Sequence, residues 1–339
     1  MNKKQKEVCE WLSDKPGYVK CSAKQIQNYI ARDHGLISVK DISVALKNTR
    51  PKSKKKPKVV LKSLSDIFPW VKNYSDNTLS FKKDVSELSK KRNQPGTYLV
   101  TGCAHAPWQN KAMYDSVFEF ISSEVNLYGI ILAGDIVDLN SLSSHDKGKK
   151  PLKGVTLDWE YEEANKFLDQ FDELDVKGTK DFLYGNHEDR YSRYMSNIDN
   201  SKLGASLMSP DVGLKLKERG YNIYNDWKND AIHLGHHLDI THGEFLNIHT
   251  AKKTIDTYRK STMYFHTHRF QIYVEGLVGG FNMGFGGDIN AEIFGYATRA
   301  MKTSWMNSCA LVTLDVEGFY HVQPLIYMNN RLIVNGKTY

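Results

Sequence analysis

Long apolar runs are missing from this 339-residue chain. No stretch approaches the length a helix needs to cross a bilayer, which argues against a helical membrane protein. The first residues, MNKKQKEVCEWLSDK, are basic and lack the apolar segment of a secretory signal. The expectation is a cytosolic protein with no membrane partner. Cysteine is scarce too. Cys9, Cys21, Cys103 and Cys309 are scattered and form no CxxC pair, so a disulfide framework is not expected. Burial as small apolar residues is the expectation for Cys9, Cys21 and Cys309. Acidic residues are few at the front end. Residues 1–60 hold 15 Lys and Arg against five Asp and Glu, a balance of +10, which leaves −3 for the remainder of a chain whose total is +7. Basic character confined to one end points to a polyanionic partner there, and DNA is the expected one.

What is present is otherwise ordinary for a globular protein, with 40% hydrophobic and 25% charged residues. The length suits one large domain and a small one. Three short helical patterns fill residues 1–50: KKQKEVCEWLSD, SAKQIQNYIARD and SVKDISVALKN. The second opens with Ser22 and Gln25 at capping-box spacing. The intervening HGLI supplies a turn glycine, so residues 1–50 read as a small all-α, helix-turn-helix-like domain. In that reading Lys40, Lys47 and Arg50 lie near DNA phosphates. The other reading is a helical module for protein contact with a solvated basic tail. Residues 51–95 read as a basic linker and connecting segment, beginning with PKSKKKPK.

From residue 96 to residue 339 the texture changes. Strand-like TYLVTG (97–102), IILAG (130–134) and KDFLYG (180–185) alternate with helical patterns near 111–124 and 158–174. After about residue 220 the chain turns strand-rich. This is the pattern of an α/β domain. Five apolar runs end in metal-competent residues. TYLVTG is followed by Cys103 and His105, and IILAG by Asp135 and Asp138. KDFLYG is followed by Asn186, His187 and Glu188, HLDIT by His242, and STMYF by His266 and His268. Ligands gather at the carboxyl ends of strands in open α/β folds. His, Asp and Asn together suit Mn²⁺, Zn²⁺ or Fe.

The motifs CAH (103–105), GDIVD (134–138), GNHE (185–188), ITHG (240–243) and FHTH (265–268) resemble those of the calcineurin-like metallophosphoesterases. With the helical front end, the chain also resembles phage-encoded members, which would place it in the host cytoplasm. The resemblance spans residues 97–270 and more loosely the tail. It implies a four-layer αββα sandwich and two divalent metal ions. His105, Asp135 and His268 would hold one ion. Asp135 would bridge to a second, completed by Asn186, His242 and His266. His187 would face substrate as general acid or charge stabiliser, with Asp138 and Glu188 orienting histidines. A metal-bridging hydroxide would attack phosphorus.

Two positions depart from the family pattern. Cys103 stands where Asp is expected, and it either stays a ligand favouring softer ions or drops out. Phe265 stands where Gly is expected, which can displace the following histidine. The expected function is a DNA-directed phosphodiesterase or nuclease. Arg190, Tyr191, Arg193 and Tyr194, just after GNHE, and Trp108 are candidates to grip backbone or stack bases. The tyrosines can equally pack one helix face. Two other functions stay open: a phosphatase acting on a small molecule or protein, and a non-catalytic DNA-binding protein with a decayed metal site.

Overall fold

The structure is a computed structural model that describes residues 3–14, 26–27, 38–49, 94–143, 154–196 and 209–339. The chain divides into two compact units, residues 1–77 and 78–339. In the first, helices α1 (Lys3–Asp14) and α2 (Val39–Thr49) bury Val8 and Leu12 against Ile42, Ala45 and Leu46, with Ile26 beside them. Lys40 lies exposed on α2. Most of the expected middle helix, its turn, Arg50 and the Lys47 side chain lie outside the described residues.

The second unit starts at β1 (Gly96–Thr101), whose apolar residues are buried on both faces. From β1 the chain crosses through α3 (Lys111–Glu124) to β2 (Leu127–Ala133). It then crosses through α4 (Leu157–Asp172) to β3 (Lys180–Leu183), and later reaches β4 (Tyr221–Tyr224). These four strands pair in parallel, as helical crossovers require. Side chains start both crossover helices. The Asn110 side chain accepts from the Met113 N–H at 3.0 Å, and that of Thr156 from Trp159. Met113, Tyr114, Val117, Phe120 and Ile121 form the buried stripe of α3, at helical spacing.

Antiparallel strands β10 (Ser308–Leu314), β11 (Tyr320–Met328), β12 (Arg331–Val334) and β13 (Lys337–Thr338) extend the sheet on the other side of β1 to eight strands. A second sheet runs β5 (Ile232–Leu234), β6 (Leu238–Ile240), β7 (Ser261–Tyr264), β9 (Val278–Met283) and β8 (Phe270–Glu275). The sheets face each other across Val100, Ile131, Leu183 and Val312 on one side and Ile240, Met263 and Met283 on the other. Helices α3 and α4 cover the outer face of the large sheet through Val117, Phe167 and Phe171. A further helix, α7 (Thr250–Tyr258), packs on the outer face of the small one. It follows two short helices, α5 (Asp189–Met195) and α6 (Pro210–Gly213). The packing order is therefore helix, sheet, sheet, helix. Among the described residues, no helix is long and apolar enough to cross a membrane.

Candidate metal centre

Strands β1, β2, β3, β6 and β7 all end at one edge of the sandwich, and the residues just past their ends converge there. Cys103, His105, Asp135, Asp138, His187, His242 and His268 are all buried. Their ligand atoms form three groups, each within 4.8 Å: Cys103 with His105 and His268; Cys103 with Asp135 and His242; and His105 with Asp138 and His187. Asn186 and His266 join the second group, with Asn186 Oδ1 3.0 Å and His266 Nδ1 3.1 Å from His242 Nε2. All seven metal-ligand candidates read from the sequence thus come together.

The backbone is bent to make this possible. Cys103, His105, Asp135 and His268 have φ of 47°, 52°, 51° and 62°, in the left-handed region that non-glycine residues seldom occupy. Four such residues in one cluster mark a place where the fold holds strain to aim side chains. The glycines of GDIVD and GNHE serve the same end. A Cβ on Gly134 would stand 2.5 Å from His242 Nδ1, and one on Gly185 would stand 2.1 Å from Asp135 Oδ1.

Hydrogen bonds set which nitrogen each imidazole offers. His105 Nδ1 donates to Asp138 Oδ2 at 3.1 Å, and His242 Nδ1 donates to the Ala133 carbonyl at 3.1 Å. Each therefore presents a bare Nε2 to the centre, the arrangement of a metal-binding histidine. His105 Nε2 lies 3.0 Å from His268 Nε2, and His242 Nε2 lies 3.2 Å from Asp135 Oδ2. Buried nitrogen, oxygen and sulfur donors with converging lone pairs fit divalent cations. Burial lowers the pKa of His105, His266 and His268, that of His266 to about 3, which keeps them neutral and able to ligate. Burial opposes ionisation of Asp135, but His187 and His242 override it and hold its pKa well below the usual carboxylate value. Burial, then Asp135 and Glu188, push the Cys103 thiol well up. A bound cation reverses that preference, since a coordinated thiol is deprotonated.

His187 sits at the edge of the cluster. Its Nδ1 donates to the Asp138 carbonyl at 3.0 Å, and its Nε2 lies 3.3 Å from Arg190 Nη2 and 3.8 Å from Asp135 Oδ2. Burial lowers its pKa, but Asp135 and Asp138 together outweigh burial and the net shift is upward.

One expected role changes. Glu188 does not orient a histidine. It is fully buried and its carboxylate accepts four backbone N–H groups, from Asp135 (2.9 Å), Ile136 (2.8 Å), Val137 (3.1 Å) and Gly185 (2.7 Å). It thereby ties GNHE to GDIVD. Burial and Asp135 push its pKa up while the amides pull it down. Two N–H donors at each oxygen leave no place for a proton, so the geometry holds the carboxylate. Arg190 is anchored at the centre: its guanidinium donates to the Asp138 carboxylate at 2.8 Å and to the Asp138 carbonyl at 2.9 Å. Tyr191 and Tyr194 pack against the core of the large sheet. Arg193, by contrast, stays 46% exposed while it pairs with Asp189.

The Phe265 departure has its own compensation. The buried ring occupies space left by Gly102, where a Cβ would come within 2.8 Å of it. Phe265 is not among the positive-φ residues, so the position does not demand glycine. Residues without a sequence signal also line the centre. Phe294 packs edge-on against His105 at 5.2 Å, and Trp227 lies 6.0 Å from His242 and 6.2 Å from His266 between ring centroids. Trp108 meets Trp159 at 6.0 Å.

No family model and no curated protein matches the chain. Among solved structures, it is similar to vacuolar protein sorting 29 from Cryptosporidium parvum, at 12% identity and a TM-score of 0.39, over 73% of this chain and 96% of that one. A single mutant of Vps29 from Entamoeba histolytica is similar at 12% identity and a TM-score of 0.35, over 68% of this chain and 99% of that one. A double mutant of the same protein gives 12% and 0.36, over 72% and 96%. The functional reading rests on the centre's own geometry.

Proposed function

We propose that this chain is a dinuclear metal-dependent phosphoesterase that hydrolyses nucleic-acid phosphodiesters and that its basic front end brings it to DNA. The observation that carries the reading is the convergence of five strand ends on two donor groups that share Cys103. A pair of divalent cations, when bound, supplies neutralisation of the phosphate charge and acidification of a water.

The chain's own residues account for the rest. Cys103, His105 and His268 would hold one ion, and Asp135, Asn186, His242 and His266 the other. Asp138 fixes the His105 tautomer and at the same time anchors Arg190. His187 donates one nitrogen to backbone, which leaves Nε2 to face substrate. A ring protonated at Nε2 can give a proton to the leaving oxygen. Arg190, 3.3 Å from that ring, adds positive charge where the phosphate would sit. Support for a polyanionic substrate comes from the +10 balance of residues 1–60 and from exposed Lys40 and Arg193.

The test is a metal panel of Mn²⁺, Zn²⁺ and Fe²⁺ on the full chain, assayed on para-nitrophenyl phosphate, its bis ester and DNA. Hydrolysis of the bis ester and DNA, abolished by chelator, is the expected result. Hydrolysis of the monoester alone would make the protein a phosphatase. Protein loaded with two ions that turns over none of the three overturns the reading.

A further inference from the structure

The connection from β9 to β10, residues 284–307, is sewn to the loop that follows β1. The Gly286 N–H donates to the Cys103 carbonyl at 3.1 Å, the Asn110 N–H to the Gly286 carbonyl at 2.7 Å, and the Asp288 N–H to the Trp108 carbonyl at 2.8 Å. A short 3₁₀ turn, Glu292–Tyr296, lies within this connection. Phe294 fixes the turn against the donor cluster. It is buried, with its ring centroid 5.2 Å from that of His105, 5.9 Å from that of His268 and 5.4 Å from that of Trp305.

Tyr296 follows two residues later, its ring 6.4 Å from that of Phe294. The residue is 56% exposed, so core packing does not account for a large aromatic there. Its hydroxyl is nevertheless desolvated. Burial, then the charges of Asp138, Asp135 and Cys103, push its pKa up, and Arg190 pulls the other way. An open ring whose hydroxyl feels those four groups leans over the mouth of the centre. Among the described residues that hydroxyl has no hydrogen-bond partner. From α5, Arg190 Nη2 comes within 3.3 Å of His187 Nε2, and the His187 ring lies 4.5 Å from that of His105. Arg190, His187, His105, Phe294 and Tyr296 thus form one chain of contacts from α5 to the turn.

We infer that Tyr296 is a substrate-binding residue of this centre, whose hydroxyl donates a hydrogen bond to a phosphate oxygen of the ester while Arg190 approaches from α5. A phenol surrounded by anionic groups keeps its proton and stays a donor. A hydrogen bond from such a donor to a charged oxygen is shorter and stronger than one between neutral groups. Because Phe294 anchors the turn, the hydroxyl is held in place before substrate arrives, which is the condition for a donor to be effective in a site of this kind. The phosphate part of this inference rests on the phosphoesterase reading. The placement of Tyr296 at the mouth does not.

Tyr296→Phe removes one oxygen and keeps the ring. The experiment compares it with the wild type as full chains loaded with Zn²⁺ or Mn²⁺. Inorganic phosphate is titrated calorimetrically, and kcat/KM is measured on bis(para-nitrophenyl) phosphate. Loss of a hydrogen bond to a charged oxygen should weaken phosphate binding and lower kcat/KM about tenfold or more. Metal content, from elemental analysis, and melting temperature should not move, which separates a substrate contact from a structural role. Tyr296→Leu should fall as far as Tyr296→Phe. A loss in Tyr296→Leu alone, with Tyr296→Phe equal to the wild type, overturns the hydroxyl's role. Ester hydrolysis that is equal in all three proteins removes Tyr296 from the site and leaves the phosphoesterase. Phosphate binding that depends on the hydroxyl, without hydrolysis of any ester, keeps the contact and overturns the phosphoesterase. A metal-loaded wild type that neither binds phosphate nor hydrolyses an ester overturns both.

Discussion

Replacing Glu188 by Gln separates two roles that its place in GNHE leaves open. A residue that merely orients a histidine would, on substitution, weaken metal binding and leave folding alone. The structure assigns it a different task, as acceptor for four backbone N–H groups, two at each oxygen. Gln keeps one oxygen and turns an NH₂ toward the other pair. Two charge-assisted hydrogen bonds then vanish and two buried donors are left without acceptors. At roughly 1.5–3 kcal/mol for each bond to a charged group, the loss is about 3–6 kcal/mol. That is a large share of a stability of about 5–15 kcal/mol. Urea unfolding followed by circular dichroism reads it directly, as a lower midpoint with an unchanged slope. A loss below about 1 kcal/mol, within the range of an ordinary surface change, would refute the assigned role.

His187→Ala should retain its metal content, read by elemental analysis, while turnover falls about 10²–10⁴-fold. Cys103→Asp should shift competitive loading from Zn²⁺ toward Mn²⁺, because a carboxylate replaces a soft donor; an unchanged metal ratio would mean that Cys103 is not a ligand. Glu160 is buried and its carboxyl is raised to about 7, first by burial and then by Asp138 against three hydrogen bonds from Asn140 and Ser141. The folded state therefore holds a proton that the unfolded chain releases near 4.5, so stability should fall as pH rises from about 4.5 to about 7, by about 3 kcal/mol at most. Glu160→Gln should flatten that slope in unfolding midpoints measured across the window. Deleting residues 1–60 should remove the steep salt dependence of DNA binding in a fluorescence-anisotropy titration; an unchanged slope would place the contacts elsewhere.

The donor cluster was legible because each of its strands is an apolar run that stops at a ligand-type residue. That signal is local and survives without knowledge of the fold. The anchoring of Arg190 on Asp138 was not legible, because spacing cannot tell whether a long side chain reaches outward or folds back. Strand β9 has a weak sequence signature because Gly279 and Gly280 lower its strand character. Gly280 is there because α7 lies against it, where a Cβ would come within 2.3 Å of the Ala251 carbonyl. Helix α7 was hidden in turn because its buried face uses Thr250 and Thr254 beside Ala251 and Ile255, which blurs the apolar period. Trp227 carries no local signal at all, and its bearing on the centre arises only when β4, β6 and β7 are brought together.

The fit between Gly102 and Phe265 makes the two positions sterically dependent on one another. While the ring is in place, even a methyl group at 102 has nowhere to go. Were the ring exchanged for a small residue, a void would open toward Gly102, although a methyl group there would still meet the Ala133 carbonyl at 3.2 Å. Substitutions at this seam are therefore coupled, and the cost of a change at one position depends on the residue at the other.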